Sequence, residues 1–171
     1  MKRCIMAVIL ACCVAATPVF AADVRLGYID MQRALNASDA GKEAKEQLAA
    51  RVKKYQDEIN AKQVEIKKLK DDLEKQGMLL SESARASKEK DYQQRLKEFQ
   101  RFTKDAQDEL QGKDEEYTRK ILESMEKVIK DFGRKNGYTF IFVKNEGLLF
   151  ADDKADVTEE VLKLLNASRK K

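Results

Sequence analysis

Catalysis by a protein-only site usually needs a tunable base or an activated nucleophile, and the residue types that supply them are scarce in this chain. It has no histidine, and its three cysteines, Cys4, Cys12 and Cys13, all lie near the N-terminus. The serines at positions 38, 81, 83, 87, 124 and 168 are not set in a glycine-flanked elbow, so capping and exposed helix faces account for them. Asp152, Asp153 and Asp156 come closest to a carboxylate cluster, but they lack the alternate spacing, the glycine and the distal glutamate of a calcium loop. The seven glycines are scattered and form no phosphate-binding loop. The sequence therefore predicts a protein that is not an enzyme, with no catalytic, cofactor-binding or metal-binding residues.

What the residues do support is a long, regular helical surface. Leu48, Val52, Tyr55, Ile59, Lys62, Ile66, Leu69, Leu73, Gln76 and Leu80 recur at alternating steps of four and three, with only Lys62 and Gln76 polar. Tyr92, Leu96, Phe99, Thr103, Ala106, Leu110, Lys113 and Tyr117 repeat the pattern, with Thr103 and Lys113 as the exceptions. A mean step of 3.5 keeps one narrow seam facing a partner helix. The break near Gly77 predicts two helices folded back on each other over residues 41–133, with a tip near 77–83. Ser81 is placed to cap the returning helix, with Glu82 in its first turn. Seven acid-first pairs at i,i+4 spacing support solvated helix surfaces: Glu58/Lys62, Asp71/Lys75, Asp91/Arg95, Glu115/Arg119, Glu116/Lys120, Glu123/Lys127 and Glu126/Lys130.

Charge distribution supports the antiparallel arrangement. Residues 42–70 hold nine basic and five acidic side chains, and residues 71–117 hold nine basic and thirteen acidic ones. Opposite excesses attract along the flanks of a hairpin, by a few tenths of a kcal/mol per exposed pair. The polar seam positions Lys62, Gln76, Thr103 and Lys113 have two readings, register control or deliberate compliance of the arm. Gly112, inside the returning helix, costs about 1 kcal/mol relative to alanine and reads as a flexible point. Met78, Leu79 and Leu80 either cap the hairpin turn or form a tip that touches unfolded client chains.

The remaining segments form a small base. Residues 1–21 have the parts of a cleaved secretory leader: Lys2 and Arg3, an apolar stretch, Pro18 and the step Val19-Phe20-Ala21. Acylation at Cys12 as a lipoprotein is the alternative. Cleavage after Ala21 removes every cysteine and the one proline. Taking Lys2 and Arg3 from the 34 basic residues leaves 32 against 30 acidic ones, so the +4 of the whole chain becomes +2. That balance argues against a dedicated nucleic-acid binder.

Residues 22–40 and 134–171 are expected to build a β-rich body with a C-terminal helix. Val24, Leu26, Tyr28 and Ile29 lie in a first strand, followed by a short helical turn through Met31 to Leu35 and a break at Asn36, Ser38, Asp39 and Gly41. Asn136-Gly137 ends the returning helix. Tyr138, Phe140, Ile141, Phe142 and Val143 form a second strand that turns at Asn145-Glu146-Gly147 into Leu148, Leu149 and Phe150, a hairpin giving three strands in all. Asp156-Val157-Thr158-Glu159 has the form of a capping box for the last helix. Beyond Tyr117 the seam widens through Ile121, Leu122, Met125, Val128, Ile129 and Phe132, marking entry into a larger core. Three strands apolar on both faces cannot be covered by one terminal helix, so other copies must cover them. The fold class expected is α+β: a small body with its sheet shared between protomers, and one helical-hairpin tentacle per protomer.

The residues Leu26-Gly27-Tyr28-Ile29-Asp30-Met31-Gln32-Arg33 after a leader, the charged hairpin, Asn136-Gly137-Tyr138, and Asp156-Val157-Thr158-Glu159-Glu160-Val161-Leu162 resemble the Skp/OmpH family of periplasmic chaperones. The resemblance covers nearly all the chain beyond the leader. It implies a homotrimer with three tentacles enclosing a cavity, which holds unfolded outer-membrane proteins in the periplasm without ATP. It carries over no lipid-binding site and leaves contact with lipopolysaccharide or a membrane surface open. A structural, scaffolding coiled-coil protein of the cell envelope is the alternative function.

Overall fold

The computed structural model describes residues 24–76 and 79–169. The leader with its three cysteines, Met78, and the side chain of Gln76 lie outside the described residues. Elements follow the order β1 (Leu26–Ile29), α1 (Met31–Ala37), α2 (Asp39–Gln76), α3 (Glu82–Lys135), β2 (Phe140–Val143), a 3-10 turn (Asp153–Ala155) and α4 (Thr158–Ser168). Helices α2 and α3 have 38 and 54 residues. At 1.5 Å per residue they extend about 57 and 81 Å.

Local chemistry sets the helix ends. Ser81 begins α3 and its hydroxyl accepts from Ala84 N at 3.3 Å. Gly137, at φ +69°, ends it in the left-handed region that glycine enters without a Cβ clash. The break between α1 and α2 is tighter than the sequence suggests, because Ser38 serves both helices. Its N–H donates to Ala34 O at 3.0 Å, and its buried hydroxyl accepts from Gly41 N at 2.9 Å while donating to Leu35 O at 2.8 Å. Gly41 thus lies inside α2, and a Cβ there would stand 2.0 Å from Leu35 O. Only glycine permits this approach of two helices.

The sheet has two strands rather than three. β1 and β2 pair in parallel, Leu26 with Phe140 through Ile29 with Val143. The turn expected after Lys144 forms, with Leu148 N donating to Asn145 O at 3.0 Å, but Leu148–Phe150 makes no strand. Topology explains the correction. Asp156 bridges Tyr28 in parallel, on the other edge of β1 from β2, and Val157 N donates to Tyr28 O at 2.9 Å. The chain between Val143 and Asp156 must therefore cross from one side of β1 to the other, and a hairpin folded back on β2 would carry it away.

Packing concentrates beneath this sheet. Ile29, Ala34, Ile121, Met125, Val157, Val161 and Leu165 form one buried cluster, and Val128, Ile129, Phe132, Tyr138 and Ile141 pack against it. The widened stripe of α3 enters this cluster, while Leu122 stays partly exposed beside it. The base is thus made from the two ends of the chain closing around the root of α3.

Candidate functional site

Two regions can act on another molecule: the arm formed by α2 and α3, and the apolar face of the small sheet. Both depend on how the base holds them.

A polar cluster joins the two terminal motifs at the base. Asp30 caps α1, accepting from Arg33 N at 2.8 Å, and its own N–H donates to Thr158 Oγ1 at 2.9 Å. Asp156 Oδ1 accepts from Thr158 N at 2.8 Å and from its hydroxyl, and Asp156 Oδ2 pairs with Arg33 Nη2 at 2.9 Å. Burial raises the Asp156 carboxyl, but the bonds from Thr158 and Arg33 outweigh it and hold it below the ordinary aspartate range. The capping box expected here is corrected by this geometry: α4 starts at Thr158 without a side-chain bond from Val157, and Asp156 caps it in an Asx turn. Asp39 N also donates to Asn166 Oδ1 at 3.0 Å, so α4 grips the first residue of the arm. Sequence reasoning finds both motifs, but not that Arg33 and Thr158 bring them together.

The arm is held by a thin seam. Ala106 is buried, whereas most seam side chains are half-buried and Val52 is 50% exposed. Two helices alone cannot enclose the side chains between them. Three of the polar seam positions find local partners among the described residues. Lys62 Nζ lies 5.0 Å from the centroid of the Phe102 ring, and Thr103 Oγ1 donates to Phe99 O at 2.9 Å. Lys113 Nζ donates to Glu116 at 2.7 Å, and Lys120 donates to the same carboxylate at 2.6 Å. Those two bonds, the Lys113 one foremost, lower the Glu116 pKa to about 2. Gly112 continues α3 without interruption and has no atom within 4 Å of a built Cβ. Phe102, which the seam count passes over, stacks edge-on against Tyr55 at 5.9 Å. It sits one step outside the seam, where an aromatic ring can reach across.

Cross-arm polar contacts gather on one side of the hairpin. Arg51 Nη1 pairs with Glu109 at 2.8 Å, the Tyr55 hydroxyl donates to the same carboxylate at 2.5 Å, and Arg95 lies 3.6 Å from Glu65. The last pair runs against the basic-to-acidic sense expected from the charge totals. Of the seven i,i+4 pairs expected, Asp91/Arg95, Glu116/Lys120 and Glu126/Lys130 come within salt-bridge distance. At the tip, Leu79 is 87% exposed and Leu80 partly buried.

The residues expected in the shared sheet divide into two sets. Tyr28, Ile29, Tyr138 and Ile141 belong to this chain's own core, and Leu148 is half-buried. Val24, Leu26, Phe140, Phe142, Val143, Leu149 and Phe150 are exposed, the last two to 95% and 86%. Phe140 and Phe142 stack on each other at 5.9 Å in the open. Seven exposed apolar side chains in and beside so small a sheet make a candidate interaction surface. No helix among the described residues is long and apolar enough to cross a membrane.

Together these features define a class: a two-helix coiled-coil arm rooted in a small mixed body, acting through extended surfaces. The chain belongs to the OmpH-like outer membrane protein family, whose model matches residues 25–165. It is 24% identical over 172 residues to a Skp-like protein of Pseudomonas aeruginosa, across 99% of this chain and 100% of that one. It is 30% identical over 138 residues to an uncharacterised protein of Aquifex aeolicus, covering 81% of this chain and 83% of the other. The fold superposes with a TM-score of 0.79 on a Caulobacter crescentus CB15 protein described as an OmpH-like outer membrane chaperone, at 15% identity and 85% coverage of each chain.

Proposed function

We propose that this chain is a periplasmic holdase chaperone, which encloses unfolded outer-membrane proteins between the helical arms of a homotrimer and prevents their aggregation without ATP. Residues 1–21 serve as the export leader, residues 22–40 and 134–171 build the trimer body, and residues 41–133 form the arm. One observation carries the reading: a hairpin of 38- and 54-residue helices projects from a body that leaves Phe140, Phe142, Leu149 and Phe150 uncovered. The uncovered face fits other copies, and several arms fixed to a common body make the walls of a chamber. Family membership supports the same reading.

Enclosure explains how such a protein works without an active site. Many weak contacts along several arms hold a client because each contact raises the local concentration for the next. They exchange singly, so the client leaves when a better partner takes it up. The half-buried seam and Gly112 let the arms bend, and Met78, Leu79 and Leu80 at the tip supply apolar contacts at the rim.

The test is dilution of a denatured outer-membrane β-barrel into buffer containing the purified protein, followed by light scattering. Suppressed scattering at one trimer per client is the expected result. Unsuppressed scattering together with specific binding to one folded envelope protein would replace the holdase with a scaffold.

A further inference from the structure

The two long sides of the hairpin differ in chemistry. The contacts of Arg51 with Glu109 and of Glu65 with Arg95 fix the register and occupy one side. The same register places Gln56 opposite Gln107, Gln63 opposite Gln100, and Lys70 opposite Gln93 on the other. These five glutamines are all exposed, in a chain that is 37% charged. Gln56 donates to Asn60 at 3.0 Å. The side-chain amides of Gln63, Gln93, Gln100 and Gln107 take part in no hydrogen bond among the described residues.

We infer that this glutamine strip is the client-facing side of the arm and that it recognises the backbone of extended, unfolded polypeptide. The inference rests on the holdase reading and adds the surface and the chemical feature recognised. A carboxamide donates and accepts hydrogen bonds as a peptide group does. Folded proteins satisfy their buried backbone groups internally, whereas an unfolded chain offers N–H and C=O groups along its length. A strip of carboxamides therefore selects the unfolded state and not a particular sequence. Lys70 stands in the strip, and Lys53, Lys67, Lys90, Lys97 and Lys104 lie one helical turn from its glutamines, adding attraction for acidic clients. The opposite side is less available because its charges already pair across the arm. From Gln56 to Lys70 the strip runs about 21 Å along α2, matching roughly six residues of extended chain.

The test places a photo-crosslinking residue at Gln63 or Gln100 on the strip, or at Glu58 on the opposite side, in the exported protein loaded with a denatured outer-membrane β-barrel. Client labelling from the strip should exceed that from Glu58 by about fivefold or more, as multivalent contact on one side requires. Equal labelling from Glu58, or labelling of a second copy from Gln63, overturns the inference while leaving the holdase intact. No labelling from any position together with unsuppressed aggregation overturns both. A second measurement uses Gln56→Glu, Gln63→Glu, Gln100→Glu and Gln107→Glu combined, with helicity checked by circular dichroism. Relative to a basic unfolded client, the variant should lose about tenfold affinity for an acidic one at low salt. An unchanged ratio between the two clients counts against the strip.

Discussion

The base and the arm of this protein are built from the same kinds of helix, yet they bury their side chains very differently. In the base, Ile29, Met125, Val161, Leu165, Thr158 and Ser38 are almost completely enclosed. Along the arm, Ala106 is buried while Val52 is half exposed and the other described seam side chains lie between these limits. The difference follows from how many elements surround each side chain. Met125 lies in one buried cluster with residues of β1, α1 and α4, whereas Leu96 is only half-buried in a two-helix seam. Close packing makes an interior resist deformation, so the base holds orientation and the arm can yield. The proposed holdase role needs both properties, and this fold separates them along one continuous helix, α3.

That contrast can be broken from either end. The largest effect is expected for Met125→Ala, which opens a cavity in the base: about 2–5 kcal/mol of stability should be lost, read by thermal or urea unfolding. If the loss is no larger than that of Leu96→Ala in the arm, the two regions do not differ as described. Phe140→Asp comes next. Phe140 is 56% exposed in the single chain, so the protomer should keep its fold, while burial of a charge between copies should weaken assembly at least about a hundredfold, roughly 3 kcal/mol. Sedimentation showing an undisturbed assembly would remove the sheet face from the interface. The smallest effect sharpens the arm. Gly112→Ala meets no neighbouring atom and should stabilise α3 by up to about 1 kcal/mol while narrowing the range of client sizes held. Unchanged small-angle scattering and client range would show that the compliance of the arm lies in its thin seam.

Much of the arm is legible in the amino-acid sequence, because its determinants are local. The four-three spacing from Leu48 to Tyr117 specifies a two-helix seam, Ser81 marks the restart of the helix, and Asn136-Gly137 marks its end. Even the polar exceptions are visible there, although not that Lys62 rests on Phe102. The base is harder to read. A run such as Leu148-Leu149-Phe150 has strand composition, but composition cannot say that the chain is committed to crossing β1 before Asp156 pairs with Tyr28. Nor does the spacing within Asp156-Val157-Thr158-Glu159 disclose that Asp156 faces Arg33, which lies 123 positions away. The glutamine strip is hidden for a related reason. Each glutamine is ordinary by itself, and the five become one surface only when the register of α2 against α3 is known.

By itself, then, the sequence determined the long helices, their seam, their caps and the lack of histidine. These follow from preferences that act over three or four residues, where backbone geometry couples neighbours directly. Tertiary structure alone decided the parallel pairing of β1 with β2, the crossing of Leu148–Asp156 and the close approach of Gly41 to Leu35. It also divided the sheet residues between this chain's core and an open face. Those outcomes depend on which distant segments bury apolar surface and satisfy backbone groups together. That competition is settled over the whole chain.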